Sequence, residues 1–86
     1  MRHDDLLLLA EIRRMAKDGR ARAVRMTAGL SQTEVGQAVG VTAGAVSRWE
    51  RGERLPRTDA AMRYARLLDA LAKACEPMGS HVEVTQ

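Results

Sequence analysis

The chain has 86 residues, a formal net charge of +3 and 45% hydrophobic residues, with Trp49 and Tyr64 as its two aromatic residues. This length allows one domain with a small core, and the composition excludes an intrinsically disordered chain. The single cysteine, Cys75, excludes an internal disulfide and favours a reducing compartment, so we expect a cytoplasmic protein. The leucines at 6–9 form too short an apolar run to span a membrane, and no membrane partner is expected.

Positive charge is concentrated in the middle of the chain. Residues 20–57 contain seven arginines and three glutamates, a net charge of +4, whereas residues 1–19 are balanced and residues 58–86 carry −1. Such a segment is suited to contact with a polyanion. Charge alone fits a solvated surface equally well, so the choice between a polyanion-binding surface and a solvated one depends on the motifs.

The first predicted helix runs to about Lys17, and either Asp4 or Asp5 can cap it. A glycine at position 19 then ends or bends the helix. Its residues at helical spacing form one apolar face. That face consists of Leu8, Leu9, Ile12, Met15 and Ala16. We assign residues 1–19 to an N-terminal helical extension.

Two short helices are predicted next. The first of them covers about residues 20–28 and closes at Gly29. The other opens at a capping box, in which Ser31 and Glu34 satisfy free backbone N–H groups at the start of the helix. Gly40 stops this helix after about two turns.

Two further helices complete the predicted bundle. Thr42 can cap the fourth helix, which covers about residues 43–51. The fifth helix is expected to be capped by Thr58 or Asp59 and to end by Pro77. Its apolar residues follow helical spacing closely. They are Ala61, Tyr64, Ala65, Leu68, Leu71, Ala72 and Cys75.

The C-terminal tail, residues 77–86, has a different pattern. Val82 and Val84 alternate with polar residues, as in a β-strand. A lone strand needs a partner, so the tail either is a frayed terminus or pairs with its copy across a dimer axis.

Residues 32–51 meet the steric requirements of a helix-turn-helix, which places one helix in the major groove of DNA. With Gln32 as the first position, the fifth position must be small and is Gly36. The ninth must adopt a left-handed conformation and is Gly40. The positions that must be apolar to pack the two helices together are occupied by Val35, Val39, Val41, Val46 and Trp49.

Three motifs resemble the lambda-repressor-like, Cro/repressor-type family, also called the xenobiotic-response-element family. They are GLSQTE at 29–34, VGVT at 39–42 and VSRWERG at 46–52. The resemblance runs from Arg20 to about Leu71, and we assign 20–76 to the DNA-binding domain. It implies an all-α, compact bundle of about five helices that acts as a homodimer on an inverted-repeat operator in double-stranded DNA.

The resemblance also implies roles for single residues outside the base-reading face. Gln32 matches the family glutamine that reaches a backbone phosphate, and free N–H groups at the helix start would assist it. Thr42 is expected both to cap the recognition helix and to contact phosphate. Arg25 and Glu50 match an ion pair that ties the second helix to the recognition helix, which is a structural role.

The expected base-reading face is formed by Ala43, Gly44, Ser47 and Arg48. The first two side chains are unusually small for the family, so Arg48 is the one side chain able to make a bidentate contact to guanine. We expect a sparse direct code supplemented by DNA shape, or else weak discrimination between sequences. The expected phosphate contacts that flank the recognition helix are Arg51, Arg54 and Arg57.

The sequence shows no catalytic constellation, so we expect no enzyme, no cofactor and no metal. His3, His81 and Cys75 match no zinc-binding spacing, and no glycine-rich phosphate loop is present. The predicted function is sequence-dependent regulation of transcription, most simply repression, by a chain whose extension and tail form the dimer contact. Three alternatives remain: a phage or plasmid switch protein with the same chemistry, an antitoxin bound to a toxin, and an adaptor that binds protein through the same bundle.

Overall fold

The computed structural model describes residues 2–74, which contain five α-helices and no strand. The helices are α1 His3–Asp18, α2 Arg20–Thr27, α3 Gln32–Val39, α4 Ala43–Glu50 and α5 Thr58–Ala74. The prediction of an all-α bundle of about five helices is confirmed. The predictions for Cys75, His81 and the tail at 77–86 concern residues outside the described part.

The long helices α1 and α5 pack along each other, and α5 also contacts α2 and α3. The short helices α3 and α4 pack chiefly against one another, and α1 closes the bundle against α2 and α4. The core is formed by side chains from all five helices. Its buried hydrophobic residues are Leu9, Ile12, Ala16, Ala21, Val35, Val39, Val46, Trp49, Ala60, Ala61, Met62, Tyr64, Ala65 and Leu68.

Within residues 2–74, the apolar faces predicted for the two long helices are buried or partly buried, with one exception. Leu8 and Met15 of α1 and Leu71 of α5 are partly buried against the core. Ala72 was predicted on the buried stripe, but it is exposed. The reason is its place near the end of α5, at the rim of an open groove between α1 and α5.

Two predicted helix caps are wrong. The helix α1 begins at His3 with Arg2 in the cap position and no side-chain cap, so Asp4 and Asp5 lie in its first turn. Carboxylates there still favour the helix through its dipole. The helix α5 likewise already includes Thr58 and Asp59, and the predicted cap lies too late in the chain. The start of α1, which has no side-chain hydrogen bond, leaves a weak signal in sequence.

Trp49 and Tyr64 join α4 to α5. Their ring centroids lie 4.8 Å apart at an interplanar angle of 43°. The Tyr64 hydroxyl is buried and has no hydrogen-bond partner among residues 2–74. Burial, together with the nearby Glu50 carboxylate, raises the pKa of Tyr64 well above its usual value. The hydroxyl is therefore neutral throughout the physiological range.

None of the helices within residues 2–74 is long and apolar enough to cross a bilayer.

Candidate nucleic-acid interface

The close crossing of α3 and α4 depends on Gly36. A Cβ atom built on Gly36 would lie 2.7 Å from the Val41 carbonyl oxygen, a distance that real Cβ atoms essentially never show. The same crossing is fixed by the N–H groups of Gly40 and Val41, which both donate to the Gly36 carbonyl at 2.7 and 2.8 Å. Gly40 itself adopts a left-handed φ of 90°. The two helices are therefore locked in a helix-turn-helix geometry.

Side-chain caps define where both helices of this unit begin. Ser31 accepts from the Glu34 N–H at 3.0 Å, and Glu34 accepts from the Ser31 N–H at 2.8 Å, which completes the predicted capping box. Thr42 accepts from the Ala45 N–H at 3.0 Å and caps α4 as predicted. Thr42 is an exposed residue and its hydroxyl keeps its own hydrogen, so it can still donate to an oxygen outside the protein.

Arg25 and Glu50 form a bidentate ion pair between α2 and α4. The Arg25 Nε and Nη2 atoms lie 2.6 and 3.0 Å from the two Glu50 carboxylate oxygens. The Arg25 and Glu50 side chains are only 11% and 2% exposed. Arg25 also donates to the Leu30 carbonyl at 2.9 Å, so the guanidinium joins α2, the α2–α3 turn and α4.

Gln32 belongs to the same network, which the sequence did not indicate. Its side-chain Nε2 donates to Glu50 at 3.1 Å, so the first residue of α3 is tied to the last residue of α4. One amide hydrogen and the amide oxygen of Gln32 remain for an external partner. Burial raises the pKa of Glu50, but the hydrogen bonds from Arg25 and Gln32 outweigh it and the net shift is downward. The carboxylate is therefore ionised at neutral pH.

The outward face of α4 carries mostly small side chains. Ala43 and Ser47 are half-buried, and Gly44 and Arg48 are exposed. The Arg48 guanidinium lies beside Gly44, with its Nη1 atom 3.8 Å from the place of a Cβ there. Gly44 has no side chain, and the other neighbours on this face are small. Arg48 is therefore the longest side chain on this face.

Arg51, predicted as a phosphate contact, is held within the protein by Glu53. Its Nε and Nη2 atoms lie 2.8 and 2.9 Å from the two Glu53 oxygens, and its Nη1 also donates to the Ser47 hydroxyl. Both partners of the ion pair are more than half exposed, at 54% and 55%. Water screens the attraction in an exposed pair of this kind, so a phosphate can replace the carboxylate.

The loop between α4 and α5 carries the other two predicted phosphate contacts, Arg54 and Arg57, and both are exposed. Arg13 of α1 fixes this loop, since its Nε and Nη2 atoms donate to the Pro56 carbonyl at 3.4 and 3.2 Å. Arg63 of α5 donates to the Val39 carbonyl at 2.7 Å, at the end of α3. Neither arginine was predicted, because no local pattern links residues 43 and 24 positions apart.

Within residues 2–74, no group of three or more histidine, cysteine or acidic side chains is placed to hold a metal ion.

A family model described as helix-turn-helix matches residues 22–73, more than half of the chain. No significant match was found among curated proteins or among solved structures. The matched range contains α2 to α5 almost in full and leaves α1 outside.

Proposed function

Because the chain belongs to the lambda-repressor-like helix-turn-helix family, we propose that it regulates transcription by placing α4 in the major groove of double-stranded DNA. The observation that carries this proposal is the locked crossing at Gly36, which fixes α4 on α3 and leaves Gly44 and Arg48 of α4 exposed to solvent. Occupation of a promoter by such a module blocks polymerase, so repression is the simplest outcome.

Base reading is assigned to Ala43, Gly44, Ser47 and Arg48. Arg48 carries most of the discrimination, since a bidentate contact to guanine is worth about 1–3 kcal/mol. Ala43 offers a methyl group to thymine, Gly44 offers only backbone, and the Ser47 hydroxyl bonds to several bases. This sparse set leaves part of the specificity to DNA shape.

Phosphate contacts are assigned to residues on both sides of the recognition helix. Gln32 and Thr42 stand at the starts of the two helices, where free N–H groups favour an anion. Arg51, Arg54 and Arg57 follow α4, and their contacts position the protein without specifying sequence. Glu50 holds the Gln32 amide in one orientation, which lowers the entropy cost of its contact.

A homodimer on an inverted repeat is the proposed assembly. Leu6 and Leu7 of α1 are 52% and 60% exposed, which is unusual for two adjacent large apolar side chains. They make α1 the described segment best suited to contact a second copy. Two copies related by a two-fold axis would present two α4 helices to successive major grooves.

Titration of fluorescent DNA tests the proposed function. The unchanged chain is expected to bind a mixed-sequence duplex more tightly than either of its single strands, because α4 requires a formed major groove. The double variant Ser47→Ala, Arg48→Ala should bind the duplex more weakly. Lys73→Ala, at the far end of α5, is the control and should bind like the unchanged chain. Equal affinity for duplex and single strands would overturn the proposal.

A further inference from the structure

A second basic surface lies beside the helix-turn-helix and includes the helix that the family match leaves out. Three arginines from three elements line one shallow concavity: Arg13 of α1, Arg57 of the α4–α5 loop and Arg63 of α5. Thr58, Asp59 and Ala60, from the first turn of α5, complete its lining. The positive end of the α5 dipole adds to the field of the arginines.

Within residues 2–74, no ion pair neutralises the arginine charges on this surface. Arg13 and Arg63 donate to the neutral backbone carbonyls of Pro56 and Val39. In the described part of the chain, none of the three arginines lies within 4.0 Å of a carboxylate oxygen. Asp59 is the single acidic group in the lining. The backbone bonds fix two guanidinium groups in place and leave their full charge for an anion.

This surface is continuous with the proposed DNA-binding face. The Arg63 Nη2 atom lies 3.7 Å from the place of a Cβ on Gly40, two residues before the exposed Thr42 cap of α4. Arg57 also lines a neighbouring groove together with Val41 and Ala45 at the flank of α4. An anion bound here would therefore lie alongside α4 and the turn that precedes it.

We propose that Arg13, Arg57 and Arg63 bind a backbone phosphate of the same DNA, so that α1 is part of the DNA-binding surface. This inference rests on the proposed function and extends its footprint to a helix that the family match does not include. Guanidinium groups held by carbonyls still have N–H groups directed at other acceptors, and guanidinium matches phosphate geometry well.

The salt dependence of duplex binding reports how many phosphates the protein neutralises. Each phosphate neutralised on B-DNA contributes about 0.9 to the slope of log affinity against log salt concentration. We expect Arg13→Gln to lower the slope by about that amount and to weaken binding of a mixed-sequence duplex several-fold. Arg14→Gln is the matched control, because Arg14 is adjacent on α1 and pairs with Glu11 instead. A slope for Arg13→Gln equal to that of Arg14→Gln overturns the proposal.

Charge-preserving variants separate a phosphate contact from a purely structural role. Arg13→Lys loses the two hydrogen bonds to the Pro56 carbonyl but keeps the charge. Its salt-dependence slope is therefore expected to equal that of the unchanged chain. A slope as low as that of Arg13→Gln would show that Arg13 merely holds the loop, which overturns the proposal. Arg63→Gln should likewise lower the slope, and Arg63→Lys should keep the slope of the unchanged chain. Asp59→Asn should strengthen duplex binding, and unchanged affinity would contradict the assigned site.

The source of the phosphate is tested with inorganic phosphate alone. If it raised the melting temperature of the unchanged chain but not of Arg13→Gln, while both bound duplex with the same slope, the site would be one for free anions. That result overturns the inference and leaves the proposed function intact. Failure of the unchanged chain to bind any duplex removes both.

Discussion

The helix α4 has two faces that are determined in different ways. Its inward face buries Val46 and Trp49 in the core and seats Glu50 in a hydrogen-bonded ion pair. Its outward face carries Gly44 and Arg48 in solvent. The inward face is fixed by packing within the chain, whereas the outward side chains make their contacts only with a partner. Substitutions on the inward face should therefore change mainly the free energy of unfolding, and substitutions on the outward face should change mainly the affinity for DNA.

The largest stability effect is expected for Glu50→Ala. It leaves the Arg25 guanidinium, 11% exposed, without its carboxylate partner. Removing one partner of a fully buried ion pair costs about 3–5 kcal/mol, and urea unfolding should show a somewhat smaller loss for this partly buried pair. Glu53→Ala is the matched control, since it removes a glutamate from an arginine pair that is more than half exposed. A similar loss for both variants would contradict the distinction between the two pairs.

A smaller loss is expected for Gly36→Ala. The new methyl group would lie 2.7 Å from the Val41 carbonyl oxygen, so the turn between α3 and α4 must shift. Such overpacking typically costs about 1–3 kcal/mol, measurable by the same unfolding experiment. The displaced α4 should also weaken duplex binding. A variant as stable as the unchanged chain would show that the close crossing does not fix α4.

Acid should weaken the Arg25–Glu50 link by a smaller amount. The pKa of Glu50 is lower in the folded chain than its ordinary value, against the effect of burial, because Arg25 and Gln32 donate to the carboxylate. Its stabilising contribution is therefore complete above the unfolded-state pKa of about 4.3 and disappears as the pH falls through the lower folded-state value. Urea midpoints measured across this range should fall with acid, and Glu50→Gln should make that fall shallower. An equally steep fall in Glu50→Gln would assign the acid sensitivity to other carboxylates.

The smallest effect is expected on the outward face, for Gly44→Ala. A Cβ there would meet Thr42 Oγ1 at 3.7 Å and Arg48 Nη1 at 3.8 Å, which is ordinary contact. Alanine should stabilise the helix by about 0.5–1 kcal/mol. Duplex binding should nevertheless weaken, because the methyl group occupies the face assigned to DNA. Gly52→Ala is the control of opposite sign, since a φ of 73° strains alanine. Stronger duplex binding by Gly44→Ala would contradict the assigned face.

The sequence predicted the helix-turn-helix well because its signals are local. The capping box at Ser31, the left-handed turn at Gly40 and the inward side chains Val46 and Trp49 each depend on neighbours within a few residues. Backbone requirements of this kind are visible in residue type and spacing. The family match shows the same region.

The rest of the site depends on contacts between residues that are distant in sequence. Nothing in the sequence places Arg13 on Pro56 or Arg63 on Val39, because long arginine side chains find carbonyls only in the folded bundle. The Gln32–Glu50 bond closes a network of which only the Arg25–Glu50 part was expected. The start of α1 was misplaced for a different reason, since no side chain caps it.

Selection from a random duplex library at near-physiological salt tests the central claim most directly, with the unchanged chain and Arg48→Ala compared in parallel. The account predicts an enriched inverted repeat for the unchanged chain, with half-sites roughly 34 Å apart or a multiple of that distance. It also predicts that Arg48→Ala loses the preference at a guanine in each half-site. Retention of no duplex by the unchanged chain, or the same motif enriched by both proteins, would contradict the assignment of α4 as the helix that reads DNA.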